Sequence, residues 1–113
     1  MPKIAAIKLN KEFRRAYFQG KYKAHPLLVS YRVKNRVKEP RIGITTSKKI
    51  GCAVERNRAR RIIRQAFREL LDEDASLSGG YDYVFVARSA TVDSTTKEVK
   101  QVMKKQLEKL RRA

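Results

Sequence analysis

Residues 55–69 constrain the fold of this chain more than any other segment, because their spacing suits only a helix with two unlike faces. At 100° per residue the apolar side chains share one face, formed by Ala59, Ile63, Ala66, Phe67 and Leu70. Arginines take the rest of the circumference, with Arg58, Arg61 and Arg68 opposite the apolar face and Arg60 and Arg64 on one flank. The pattern predicts a helix over 52–72 that packs on an apolar surface and displays arginine away from it.

This arginine surface costs the helix stability, so a functional explanation is needed. Between positions 56 and 68 there are six arginines, no lysine and no acid, and pairs such as Arg60/Arg64 repel by roughly 0.2–0.5 kcal/mol each. A guanidinium can hold a phosphate through two hydrogen bonds or stack on a base, which an ammonium cannot. A solvated basic face usually alternates signs, and a membrane-surface helix would carry bulkier apolar residues. The arginines therefore favour phosphate binding, while Asn57 either bonds the local backbone or contacts RNA.

The net charge of the whole chain indicates the same class of partner. Its 113 residues contain 28 Lys+Arg and 11 Asp+Glu, which give a formal net charge of +17. Such self-repulsion destabilises a compact state, and a polyanion that binds the protein would offset it. Nucleic acid is the leading partner class and an anionic membrane is the second. The hydrophobic share of 42% supports a folded core, and the length predicts a single small domain over residues 1–113.

Several classes of protein are excluded by what the chain lacks. No run approaches the ~18 apolar residues of a membrane-spanning helix, and the first nine residues lack the apolar stretch of a secretory signal. The lone Cys52 fits a reducing cytoplasm, and together with the lone His25 it excludes a His/Cys zinc cage. The sequence contains no Ser/His/Asp set that would indicate catalysis by the chain. Asp72, Glu73 and Asp74 form the one acidic cluster, which fits a solvated helix end better than a hard-cation site.

The hydrophobic pattern predicts a mixed α/β domain in the order helix, two or three strands, helix, strand, helix. The first helix, over 11–19, is capped by Asn10 and ended by Gly20. The strand over 26–33 places alternate apolar residues on one face, namely Leu27, Val29, Tyr31 and Val33. Further strands are expected over 41–46 and 81–88, and a last helix over 96–111 begins with a capping box.

Two smaller clusters accompany the arginine helix. Lys48 and Lys49 lie beside small hydroxyls and a glycine at the start of that helix, where they form either a phosphate-binding corner or a surface loop. The corner lacks the first glycine of a P-loop, so nucleotide hydrolysis of that kind is excluded. Phe13, Tyr17 and Tyr31 are either core residues or, beside the neighbouring cations, rings that stack on unpaired bases. Their spacing alone leaves both interpretations open.

The segment from Ser47 to Phe67 closely resembles the protein subunit of bacterial ribonuclease P. That family carries a basic motif after an S-K-K-I-G stretch, and in this chain the motif is Arg56-Asn57-Arg58. The resemblance continues outside the motif in the family's order and approximate spacing, at Leu9 to Phe13, Tyr17, Gly20, Tyr31 and the strand from Tyr83 to Arg88.

The resemblance implies both a fold and a function. The fold is α+β, a four-stranded sheet with three helices in the order α-β-β-β-α-β-α, including a left-handed βαβ crossover that departs from the usual hand. The function is to bind a catalytic RNA and the 5′ leader of precursor tRNA while the RNA removes that leader. The chemistry and its Mg²⁺ then belong to the RNA, so the chain is expected to hold no cofactor, metal or catalytic residue. We expect a cytoplasmic protein with no membrane contact and no obligate protein partner; the alternative is a general or ribosomal RNA-binding protein without a role in cleavage.

The resemblance also assigns roles to individual residues. The motif helix that lies against the catalytic RNA corresponds to Arg56, Asn57, Arg58, Arg60, Arg61 and Arg64, and the helical wheel adds Arg68. The cleft that holds the single-stranded leader corresponds to Phe13, Tyr17 and Tyr31, with Lys48 and Lys49 at its basic entrance and Arg88 at the end of the matching strand. For the three aromatic residues, the resemblance favours base stacking over a role in the core.

Overall fold

A five-stranded mixed sheet organises residues 4–112, the part of the chain that this computed structural model describes. Its strands are β1 (Ala5–Ala6), β2 (Lys21–His25), β3 (Leu28–Lys34), β4 (Arg41–Thr45) and β5 (Tyr81–Ala87). They lie in the order β1-β4-β5-β3-β2, with β1, β4 and β5 parallel and β3 antiparallel to both β5 and β2. The helices are α1 (Asn10–Gln19), α2 (Ala53–Glu73), α3 (Ser89–Val92) and α4 (Thr96–Arg112), with 3-10 turns at Lys48–Ile50 and Ala75–Ser78.

The helices cover the two faces of the sheet unequally. The larger core lies where α2 and α4 pack on one face, and Phe67 of α2 has its ring centroid 5.1 Å from that of Tyr83 and 5.3 Å from that of Phe85. A smaller cluster under α1, on the other face, contains Ala16 and Val84. The apolar face of α2 therefore packs on the sheet, as its spacing predicted.

Among the helices of residues 4–112, none has the length and apolar character that a membrane span requires.

The predicted α+β class is confirmed, but the numbers of strands and helices were wrong. The expected order α-β-β-β-α-β-α corresponds to α1-β2-β3-β4-α2-β5-α4, to which the structure adds the two-residue β1 and the one-turn α3. Strand β2 escaped a firm assignment because all five of its residues are exposed and no apolar alternation marks it. Parallel β4 and β5 joined through α2 form the expected βαβ unit, whose left hand stays a prediction.

The start of α1 also differs from the prediction. Asn10 is the first residue of the helix, and Leu9 occupies the cap position. The backbone N–H of Leu9 donates to the Glu12 carboxylate at 3.4 Å, so a side chain inside the first turn takes the capping role expected of Asn10. Gly20 ends the helix as predicted, and a Cβ there would approach the Ala16 carbonyl oxygen to 2.4 Å.

Strand β3 shows why the predicted face pattern was incomplete. Tyr31 and Val33 do lie on the α1 side, but Leu27 precedes the strand and packs against the larger core instead. Leu28 and Ser30 are buried on the opposite side, toward α4. Both faces of this strand are therefore covered. A strand buried on both faces no longer alternates between apolar and polar residues.

Candidate nucleic-acid interface

An open groove runs between α1 and the end of β4, with the start of α2 as its far wall. Its volume is about 640 Å³. We call it the aromatic groove; its lining is Asn10, Phe13, Arg14, Tyr17, Ile44, Thr45, Thr46 and Arg60. Two of the three aromatic residues assigned to a leader cleft therefore line one surface, together with an arginine of α2.

A glycine of the sheet lets the Phe13 ring lie close to the strand. A Cβ at Gly43 of β4 would be 2.7 Å from Cε1 of that ring, which is closer than real contacts allow. Phe13 is half-buried, so one side of its ring contacts the sheet while the rest lines the groove. The core and the binding interpretations of this residue are thus compatible.

Three tyrosine rings form a row on the α1 side of the sheet. The rings of Tyr17 and Tyr31 meet edge to face at 5.0 Å between centroids, and Tyr22 stacks on Tyr31 at 5.3 Å. Tyr17 is held by a 2.5 Å hydrogen bond to the Thr45 hydroxyl. Burial, with Tyr17 and Tyr22 as neighbours, raises the pKa of Tyr31, so its hydroxyl stays neutral near pH 7.

Tyr22 is the candidate residue that the sequence analysis missed. It lies directly opposite Tyr31 in the β2–β3 pair and is 58% exposed. Aromatic pairs directly opposite each other are a recognised stabilising feature of antiparallel strands. Tyr22 and Tyr31 are equally far from residues 26–27, so a hairpin turn at 26–27 would place them opposite each other. This indication was usable only once β2 had been recognised as a strand.

Three arginines of α2 line a second groove that continues the first. Arg60, Arg64 and Arg68 face β1 and β4 across an opening of about 460 Å³. This opening shares three lining residues with the aromatic groove, namely Phe13, Ile44 and Arg60. We call it the arginine groove. Arg60 is held there by a 3.0 Å hydrogen bond from its Nε to the Thr46 hydroxyl. The helical wheel placed Arg68 opposite the apolar face, whereas in the structure it lies in the same groove as Arg60 and Arg64. Residues four positions apart on a helix differ in direction by only about 40°, so the three side chains form one row.

The remaining motif residues lie elsewhere on α2. Arg58 and Arg61 flank a separate opening beside the turn into α4. Asn57 is exposed, whereas Arg56 is half-buried, with no hydrogen-bond partner for its buried Nε. The motif helix thus presents arginine to two different surfaces.

The other predicted basic residues lie outside the lining of both grooves. Lys48 and Lys49 are exposed on the 3-10 turn that leads into α2, and Arg88 is exposed just after β5. Because β4 and β5 are parallel, their carboxyl ends, and hence these three cations, are at the same edge of the sheet. They extend the basic surface beyond the groove ends.

The arginine surface carries no compensating charge. Over residues 4–112, the cations that form ion pairs are Arg15, Arg41, Lys100 and Arg111, and none of them belongs to α2. All five α2 arginines from Arg58 onward are exposed. A polyanion can therefore bind this face without breaking any ion pair of the α2 arginines.

A buried ion network positions α1 against the sheet. The Asp82 carboxylate of β5 is fully buried and accepts hydrogen bonds from Arg41 at 2.8 and 2.9 Å, Asn35 at 2.9 Å and Arg15 at 3.1 Å. Arg41 also pairs with Glu12 of α1 at 2.8 Å. Burial acts to raise the pKa of Asp82, but the hydrogen bonds from Arg41 and Asn35 outweigh it, and the net pKa is lowered. The network fixes one wall of the aromatic groove.

Two members of the acidic cluster at the end of α2 are occupied by protein contacts, and the third, Asp72, is exposed. Glu73 pairs with Lys100 at 2.5 Å, and Asp74 accepts a hydrogen bond from the Ser76 backbone at 3.0 Å. The Ser76 hydroxyl also donates to the Asp74 carboxylate, at 2.6 Å, and this bond together with the backbone one holds the pKa of Asp74 below its usual range. Throughout the ranges that the structure describes, no three His, Cys, Asp or Glu side chains gather in a metal-binding group.

Comparison with known proteins gives the same family from the sequence and from the structure. The family model for ribonuclease P matches residues 1–111. A ribonuclease P protein component of Clostridium botulinum is 42% identical over 97 residues, which cover 86% of each chain. The solved ribonuclease P protein of Staphylococcus aureus superposes with a TM-score of 0.78 at 32% identity over 94% of both chains. That of Thermotoga maritima, at 24% identity over 96% of both chains and a TM-score of 0.75, shares the fold. The chain belongs to the ribonuclease P protein family.

Proposed function

We propose that this chain is the protein subunit of a ribonuclease P, which assists a catalytic RNA in removing the 5′ leader of precursor tRNA. The single observation that carries the proposal is the continuous surface of aromatic rings and uncompensated arginines across the two grooves. Its dimensions and chemistry suit an extended single strand, because stacked rings accept any base and arginines bind the backbone. Family membership supports the same role.

The two arginine surfaces of α2 support a division of labour. Arg60, Arg64 and Arg68 adjoin the aromatic groove, so we assign them to phosphates of the substrate near the leader. Arg58 and Arg61 face away from it, so we assign them to the catalytic RNA. Neutralising phosphates near the cleavage site would lower the Mg²⁺ concentration that the RNA needs, while the Mg²⁺ itself and the chemistry stay with the RNA. The lone, exposed Cys52 fits a reducing cytoplasm as the site of this activity.

The role is tested by cleavage of precursor tRNA at low Mg²⁺ in three mixtures: the protein alone, a bacterial ribonuclease P RNA alone, and both together. Activity only in the combined mixture, with the cut at the mature 5′ end, is expected. Binding of RNA without any effect on cleavage would favour a general or ribosomal RNA-binding protein. Cleavage by the purified protein alone would contradict the proposal and direct attention to Asp72, Glu73 and Asp74.

Replacing Tyr17 by Ala is expected to reduce the preference for precursor over mature tRNA by about 5- to 150-fold. The range follows from about 1–3 kcal/mol for each stacked base, because mature tRNA lacks the strand that the ring would hold. The measurement is the ratio of the two dissociation constants for the complex with the catalytic RNA. Tyr17→Phe keeps the ring and should retain most of the preference.

Phe18→Ala provides the matched control for this variant. Phe18 lies on the same helix, is 85% exposed and does not line the aromatic groove, so its removal should leave the ratio unchanged. An unchanged ratio for Tyr17→Ala in a folded protein would mean that Tyr17 serves the packing of α1 alone.

A further inference from the structure

A second basic groove lies between the edge strand β2 and helix α4. Its volume is about 300 Å³. Its polar lining is Lys23 and His25 from β2 and Gln101, Lys105, Gln106 and Lys109 from α4. We call it the lysine groove. It contains none of the residues assigned to the aromatic or arginine grooves, and it lies on the side of the sheet that α4 covers.

The walls of the lysine groove are held together by a buried amide. Gln106 of α4 donates hydrogen bonds through Nε2 to the backbone oxygens of Lys23 at 3.1 Å and Leu28 at 2.9 Å. Its Oε1 accepts a hydrogen bond of 2.6 Å from the Ser30 hydroxyl. All the hydrogen-bonding atoms of this side chain are thereby used to fix α4 across β2. The groove is therefore a preformed feature of the fold.

The charge on α4 is neutralised on one side and left uncompensated on the other. Toward α2, Lys100 pairs with Glu69 at 3.3 Å and with Glu73 at 2.5 Å. Toward β2, none of the three lysines of the groove has an ion-pair partner among the residues from 4 to 112. Lys105 and Lys109 also repel each other at i,i+4. A bound polyanion would remove this repulsion, which indicates an anionic ligand.

The position of the groove indicates which anionic ligand it receives. Tyr22, at the end of the tyrosine row, and Lys23, in the lysine groove, are consecutive residues of β2. Successive side chains of a strand point to opposite faces, and β2 is an outer strand of the sheet. A chain that leaves the tyrosine row and passes over this edge meets Lys23 next.

We propose that the lysine groove binds the phosphodiester backbone of the substrate's single strand where it continues beyond the tyrosine row. The inference rests on the proposed function, because that function brings a single strand to the row. Lysine is a mobile point charge and offers no planar fork to a base edge. The groove therefore extends the length of leader that is held without selecting its sequence.

The test compares precursor tRNAs with leaders of about 4 and about 16 nucleotides, which bracket the usual footprint of a single-strand-binding domain. The protein carries Lys105→Gln and Lys109→Gln and is assembled with the catalytic RNA. Affinity for the long-leader precursor is expected to fall about tenfold, while affinity for the short-leader precursor stays unchanged. The slope of log affinity against log salt for the long leader should fall by about 1.4, since each single-strand phosphate contributes about 0.7.

A matched control removes the same charge elsewhere. Lys34→Gln with Lys104→Gln changes one exposed lysine at the end of β3 and one on the α2 side of α4, and it should leave both affinities unchanged. Equal losses for the two leaders would overturn the inference, because the groove would then contact the tRNA body or the catalytic RNA. No loss for either leader would overturn it as well. The wild-type preference for precursor over mature tRNA tests the proposed function separately, so failure of the role and failure of the groove are distinguishable.

Discussion

Raising the salt concentration from about 50 to about 200 mM is expected to weaken the binding of this chain to ribonuclease P RNA together with precursor tRNA by about 10³–10⁵-fold. The range corresponds to about 6–10 phosphate contacts, whose release of counterions makes affinity fall steeply with salt. The structure supports such a number because the five exposed arginines of α2, with the exposed Lys48, Lys49 and Arg88, have no ion-pair partners in the described chain, 4–112. The measurement is the dissociation constant at several salt concentrations.

Individual arginines should contribute measurably to that slope. Arg58→Gln with Arg61→Gln is expected to lower it by about 1.8, since each contact to duplex phosphate contributes about 0.9. Arg36→Gln with Arg112→Gln removes the same charge from exposed positions outside α2 and should change the slope little. A wild-type slope that corresponds to one or two contacts in all would contradict the account of α2 as the main surface for the catalytic RNA and the substrate together.

Replacing Asp82 by Asn is expected to lower the free energy of unfolding by about 3–5 kcal/mol. The change leaves Arg41, whose side chain is 14% exposed, without the carboxylate that it binds through two hydrogen bonds. Removing one member of a buried ion pair has effects of this size, and the remaining pair between Arg41 and Glu12 at 2.8 Å places the expected change at the lower end of the range. Urea unfolding followed by circular dichroism measures the change. Asp93→Asn, at an exposed acid outside any ion pair within 4–112, should stay within about 0.5 kcal/mol.

The same carboxylate predicts a dependence of stability on pH. Because the pKa of Asp82 is lowered in the folded state, its contribution is present above the unfolded pKa of about 3.9 and is lost as pH falls through the folded value. The difference in stability between wild type and Asp82→Asn should therefore shrink below about pH 4. If the variant does not fold, Arg15→Gln offers a milder change of about 1.5 kcal/mol with the same trend. A difference that is constant down to pH 2 would contradict the role of the network.

The elements predicted best from the sequence were those whose pattern depends on one face alone. Helix α2 spans Ala53–Glu73 against a prediction of 52–72, and the capping box of α4 forms between Thr95 and Glu98 with hydrogen bonds of 3.2 Å. Such local patterns need only the helical repeat and a nearby side chain. Strand β2 lacked a pattern altogether, because an edge strand exposed on both faces needs no apolar alternation.

The buried charges were the least predictable part of the site. Asp82 stands in a strongly apolar strand segment, and nothing near it in sequence shows that Arg15, Asn35 and Arg41 converge on it. Those partners are 41 to 67 positions away along the chain. A buried carboxylate is tolerated only with such partners. The burial of Asp82 could therefore be predicted only together with the three side chains that bind it.

The amino-acid order alone determined that this chain would carry a two-faced arginine helix and a charge suited to RNA, since helical spacing and composition are local properties. Only the packing of α2 on the sheet decided that Arg60, Arg64 and Arg68 share a groove with Phe13 while Arg58 and Arg61 face elsewhere. The pairing of β2 with β3 likewise decided that Tyr22 completes the tyrosine row. The reason is that a helical wheel gives angles about one axis, whereas a groove exists only where two elements meet.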